Sequence, residues 1–171
     1  MLPDLQNILE ALVGQGVDFV IIGGMAAVAQ GAPITTFDLD ICYRRTPENH
    51  RKLVAALKPF RPALRAPGEP VPFVWDERTL KLGCNFTLST TAGDLDILGE
   101  LLGGITYDDV LPGAAVLELF GHPVRVMGLR DIIRTKEALR RPKDAAALEI
   151  LRETLRLQER NKTESRGNRG R

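Results

Sequence analysis

Residues 35–41 read TTFDLDI, and the run continues through Cys42 and Tyr43. Two carboxylates, Asp38 and Asp40, stand one residue apart in an otherwise apolar and β-branched stretch. Such residues favour a strand, and residues 35–43 are read as one. Side chains alternate along a strand, so Asp38 and Asp40 project to one face, roughly 6.5–7 Å apart, twice the rise per residue. Leu39 and Ile41 then point the other way, into core. Two bare carboxylates on one face repel and raise each other's pKa. Two readings follow: an edge strand with both acids in solvent, or a divalent cation between them. Mg²⁺ suits the second, because it takes carboxylate oxygens and keeps waters that substrate phosphates can replace.

The surrounding chain adds two features. DFVIIGG (18–24) reads as a buried strand with a sharp exit, and MAAVAQG (25–31) as a short Ala-rich helix stopped by Gly31 and Pro33. A strand that leaves through Gly-Gly into a helix presents free backbone N–H groups, which attract phosphate; Gly-Gly is also an ordinary tight turn. GDLDIL (93–98) repeats the D-x-D pattern on a later strand, with Asp94 and Asp96 on one face. A third carboxylate beside the first pair is what two-metal phosphoryl chemistry needs, one group both ligating metal and accepting a proton. Read instead as a dinucleotide-binding turn, IIGGMAAVAQG lacks the G-x-G-x-x-G spacing and a clearly placed acid about 20 residues on.

Further elements follow by the same rules. Leu5, Ile8, Leu9, Leu12 and Val13 give a helix over 3–14, closed by Gly14 and Gly16. Thr46-Pro47 starts a helix that runs to about residue 60. Residues 61–75 hold four prolines and are read as a long irregular excursion. DERTLKLG gives one or two helical turns, CNFTLST (84–90) a third strand and DLDIL (94–98) a fourth. Residues 99–113 read as loop with a short YDDV turn, and AVLELFGHPVRVMG as a β-hairpin around Gly121-His122. Helices are expected over 129–139 and from Pro142 to about 158. This alternation predicts an α/β protein: a mixed β-sheet flanked by helices, with a C-terminal helical segment.

The 171 residues fit one domain, placed at 1–159. Residues 160–171, with five Lys or Arg against one Glu, are read as a disordered basic tail, solvated or in contact with RNA or a partner. The formal net charge of +1 demands neither nucleic acid nor membrane. Cys42 and Cys84 lie in apolar stretches and are read as buried free thiols of a reducing compartment. No signal peptide and no run of roughly 20 apolar residues is evident, so a cytoplasmic protein without membrane association is expected. His50 and His122 fall on a helix surface and a turn, without spaced partners for a metal. Phe73 and Trp75 are assigned to core packing ahead of base stacking. Thr35 and Thr36 could bond a phosphate, although β-propensity explains them as well.

Gly-Gly, D-x-D about fourteen residues later and a further Asp on a neighbouring strand resemble the nucleotidyltransferase superfamily of the DNA polymerase β type. The stretches VIIGGMAAVAQGAPITTFDLDICY, RTPENHRKLVAAL, PFVWDERTLKLGCNFTLSTTAGDLDILGEL and KEALRRPKD more closely resemble small bacterial proteins that include nucleotidyltransferase toxins of abortive-infection systems. The resemblance implies Mg²⁺ or Mn²⁺ on Asp38, Asp40 and Asp96, with Asp94 the less favoured third acid. It implies nucleotide binding by Gly23, Gly24, Thr36, Lys136, Arg141 and Lys143, with Asp144 in the same late motif. It further implies transfer of a nucleoside monophosphate from a nucleoside triphosphate to a hydroxyl of tRNA, a protein or a small molecule, and an antitoxin as partner. Two positions depart from the pattern: Met25 stands where many members carry Ser, and Ile34 where related chains often carry Arg. Both changes weaken phosphate binding, so a nucleotide-binding regulatory protein with little catalysis is the alternative.

Overall fold

The structure, a computed structural model, describes residues 4–68 and 71–167. Its central strand is β2 (Asp38–Tyr43), which pairs antiparallel with the buried strand β1 (Phe19–Ile22). On its other side β2 runs parallel to β5 (Gly93–Leu98), which pairs antiparallel with β4 (Asn85–Thr90). The two-residue β3 (Ala63–Leu64) closes that edge. Beyond β1 lie β9 (His122–Val126), parallel to it, and the antiparallel edge strand β8 (Ala115–Leu119). The result is a mixed seven-stranded sheet of order β3-β4-β5-β2-β1-β9-β8; β6 (Glu100–Leu101) and β7 (Ile105–Thr106) form a separate small hairpin.

Helices cover the sheet. On α1 (Leu5–Gly14), Leu5, Ile8, Leu9 and Leu12 form the buried stripe, and the Asp4 side chain accepts from the Asn7 N–H as a cap. It packs on α3 (Pro47–Leu57), which begins as expected with a Thr46 cap and Pro47 in the first turn. Asn49 of α3 is buried, and its amide donates to the carbonyls of Asp18 and Arg44 and accepts from the Asp18 N–H. This ties the α3 entrance to the one end of the β1–β2 pair where Asp18 leads into β1 and Arg44 leaves β2. The rest are α2 (Gly23–Ala29), α4 (Glu77–Leu82), α5 (Tyr107–Val110), α6 (Leu129–Leu139) and α7 (Ala145–Gly167). The core runs through both sheet faces, with Val20, Ile21, Ile41, Leu88, Leu95 and Ile97 fully buried.

Several boundaries differ from the sequence reading. α2 starts at Gly23 itself, because that residue, at φ +64°, is the turn out of β1. The Pro-rich excursion contains β3, whose backbone bonds come from a strand more than twenty residues away. The β8–β9 turn falls on Phe120-Gly121, both left-handed as a two-residue hairpin with right-twisted strands requires. His50 is buried on α3, not exposed; its ring lies 6.0 Å from Tyr43, and burial holds its pKa below the usual value. α7 continues through 160–167, where a tail was expected: the Thr163 and Ser165 hydroxyls bond to carbonyls one turn back, and long charged side chains favour helix. Residues 168–171 of that segment lie outside the described residues. Among the described residues no helix is long and apolar enough to cross a membrane.

Candidate active site

The parallel register sets Asp38 beside Asp94 and Asp40 beside Asp96. Neighbouring strands lie about 4.8 Å apart, so the four Asp positions are neighbours on one sheet face. Leu39, Ile41, Leu95 and Ile97 alternate with them and are buried, which fixes that face: a one-residue slip would put four acids into the core. One strand further out, Thr87 of β4 stands opposite Asp96. On the other flank β1 ends at Ile22, opposite Asp40, and the chain turns at Gly23. A side chain at Gly23 would overlap the Asp40 carboxylate; one at Gly24 would lie 2.9 Å from Thr36 Oγ1. Gly23 thus lets backbone pass directly against Asp40, and Gly24 against Thr36.

The electrostatics reflect this crowding. Burial first, then Asp96 and Asp38, push the Asp40 carboxyl up to about 6. Burial also raises Asp96, against the pull of a nearby guanidinium, with Asp38 and Asp94 adding to the rise. That guanidinium belongs to Arg65, which follows β3. Its Nη2 lies 2.8 Å from Asp96 Oδ1 and its Nη1 contacts Asp94 Oδ2. The Arg65 backbone N–H donates to the Thr87 carbonyl at 2.9 Å, so its Cα is held at the sheet edge while the side chain reaches back over β4. Sequence reading missed Arg65. It is one of two Arg in an irregular segment, and only the long-range pairing of the neighbouring strand reveals it.

Opposite the acids stands a basic wall. Lys136 on α6 and Arg141 in the following turn both grip Asp144, at 2.8 and 2.7 Å. Asp144 is only 5% exposed. Burial alone would raise its pKa, but the two cations outweigh it and hold the carboxyl below its usual value. Lys136, Arg141 and Lys143 face Asp38, Asp40 and Asp96 across a cleft of about 680 Å³, which Gly23, Thr35 and Arg65 also line. Thr36 and Gly24 do not line the cleft; Thr36 Oγ1 donates to the Asp38 carbonyl at 3.3 Å. Neither histidine lines the cleft. Trp75 and Phe73 pack as expected: Trp75 Nε1 donates to the Val54 carbonyl, and Phe73 rests against Trp75 and Phe86.

An all-oxygen donor set, with Asp40 lifted to about 6 by burial first and by Asp96 and Asp38 after it, suits a hard cation such as Mg²⁺ or Mn²⁺. Among the described residues, however, no three acids or other ligating side chains are gathered tightly enough to hold one ion, and Arg65 engages the two β5 acids instead.

No protein-family model and no curated protein matches this sequence. Solved structures do. A candidate nucleotidyltransferase from Thermotoga maritima aligns with a TM-score of 0.54 and 19% identity, over 85% of this chain and 88% of that one. The antibiotic-resistance factor ANT(2″)-Ia aligns with a TM-score of 0.51 and 16% identity, over 96% of this chain and 95% of its own. At such identities the likeness is one of fold, and this chain has the nucleotidyltransferase fold.

Proposed function

We propose that the cleft carries out metal-dependent nucleotidyl transfer: a nucleoside monophosphate moves from a nucleoside triphosphate to a hydroxyl, and pyrophosphate leaves. The observation that carries this reading is the register pairing of Asp40 with Asp96, across the cleft from Lys136, Arg141 and Lys143. A deep anionic floor facing a cationic wall matches what phosphoryl transfer requires, positioning plus charge neutralisation. Asp38, Asp40 and Asp96 are the residues that would hold Mg²⁺ or Mn²⁺, which supplies charge neutralisation at the transferring phosphoryl group. Asp96 accepts the proton of the attacking hydroxyl, its raised pKa bringing it closer to the working range of a general base. Lys136, Arg141 and Lys143 bind the triphosphate, and the Gly23–Gly24 backbone admits it close to the acids. The acceptor hydroxyl belongs to an RNA, a protein or a small molecule. Incubation with each labelled nucleoside triphosphate, Mg²⁺ and total RNA or lysate tests the reading; a labelled product that wild type forms and Asp38→Asn/Asp40→Asn does not is the expected result.

One observation favours a second reading. Arg65 already neutralises the β5 acids, so a chain that binds nucleotide without turnover, as a regulatory or antitoxin-paired protein, needs no metal. Nucleotide binding without labelled product from any acceptor distinguishes it.

A further inference from the structure

Arg65 lies outside every motif that points to nucleotidyl transfer, yet it makes the closest cationic contacts to the acid group. One guanidinium spans two carboxylates, Nη2 on Asp96 and Nη1 on Asp94. Its backbone is pinned to Thr87, and its side chain is 31% exposed, mostly covered by the cleft wall. Lys136 and Arg141 across the cleft are already committed to the buried Asp144. Arg65 is therefore the resident counter-charge of the β5 pair. A guanidinium is planar, always charged and weakly hydrated, so it bridges two carboxylates well without a water shell. A divalent ion at Asp96 draws on the same carboxylate, whose Oδ1 Arg65 already holds, and is repelled by the same positive charge.

We propose that Arg65 is a positioning residue that competes with the divalent metal: it holds Asp94 and Asp96 in the metal-free protein and must give up Asp96 when metal enters. This rests on the metal-binding reading of the cleft. The competition sets a threshold on loading, because metal binds only by displacing an ion pair already in place.

The test is Mn²⁺ titration of full-length protein without nucleotide, by calorimetry and by the free-ion electron paramagnetic resonance signal. Wild type, Arg65→Gln, Arg65→Lys and Asp38→Asn/Asp40→Asn are compared. Arg65→Gln frees Asp96 and removes one charge, so Mn²⁺ should bind about three- to tenfold more tightly. Arg65→Lys keeps the charge but cannot bridge both acids, so its affinity should fall between the two; it also serves should Arg65→Gln fail to fold. Affinity in the Arg65 variants equal to or weaker than wild type overturns the competition while leaving the metal site standing, provided Asp38→Asn/Asp40→Asn has lost Mn²⁺. Absence of Mn²⁺ binding in wild type and Arg65 variants alike overturns both the competition and the metal reading beneath it.

Discussion

Lys136 and Asp144 meet at 2.8 Å beneath the basic wall of the cleft, Asp144 being buried and Lys136 nearly so. The pair does two things at once: it satisfies a buried charge, and it keeps an ammonium close enough to Asp40 to pull its pKa downward. Lys136→Ala leaves Asp144 to Arg141 alone. A loss of about 1–3 kcal/mol in stability is expected, less than for a fully orphaned buried charge because one partner remains. Asp144 has a lowered folded pKa, so the stability it confers is present above its unfolded value of 3.8 and is lost as pH falls below that. The gap between wild type and Lys136→Ala in denaturant unfolding should therefore narrow in acid. In titrations with nucleoside triphosphate, the same variant should weaken binding first.

Asp40 titrates in the opposite sense. Its folded pKa of about 6 exceeds the unfolded 3.8, so the folded chain binds more protons between these values. Its contribution to stability therefore falls as pH rises through that window, and the full penalty stands above about pH 6. Asp40→Asn should stabilise metal-free protein by about 2–3 kcal/mol at about pH 8 and by far less at about pH 4. An equal difference at both pH values in urea unfolding would show that Asp40 is not the strained acid.

Divalent metal should relieve the same penalty. Binding to the native state alone raises the melting temperature, by about 2.7 kcal/mol of added stability at a hundredfold excess over Kd. Millimolar Mn²⁺ should raise the melting temperature of wild type and leave Asp38→Asn/Asp40→Asn unmoved. A flat response in wild type contradicts the metal assignment.

Asp96→Asn keeps an oxygen ligand and removes the proton acceptor. Turnover should drop by roughly 10²–10⁴-fold while nucleotide affinity changes little. Because the Asp96–Arg65 pair is partly solvated, little stability should go with it. Unaltered turnover removes Asp96 from the mechanism.

Gly23→Ala probes the turn. The backbone there is left-handed, costing about 1–2 kcal/mol for any residue with a Cβ, and the new methyl overlaps Asp40. Both stability and Mn²⁺ affinity should fall. The control Gly31→Ala, also left-handed but facing open space, should lose stability alone.

The acids were legible in the sequence because a period of two is a local property: Asp38, Asp40, Asp94 and Asp96 declare their shared faces without knowledge of the partner strand. The Thr46-Pro47 cap and the helix over 129–139 were legible for the same reason, and both were found in place. Arg65 was not, since β3 is only two residues long and exists through its pairing with Ser89 and Leu88. The burial of His50 was hidden likewise, for it depends on what packs over α3 and not on the α3 sequence. In the β8–β9 hairpin, Gly121 was recognised, but its position within the turn was set by Phe120 accepting a left-handed backbone.

The parallel pairing of β2 with β5 also bears on how the chain acquires its site. Asp40 and Asp96 are neighbours in space, but residues 41–95 must be made and folded around before they meet. Synthesis from the N-terminus produces β1, α2 and β2, with Asp38 and Asp40, before β5 exists, so a β1–β2 pair formed at that stage carries only half of the acids. The repulsion arrives only when β5 inserts beside β2, and Arg65, thirty-one residues ahead of Asp96, is already synthesised to meet it. The order of synthesis thus delivers the neutralising cation before the last two acids it must hold.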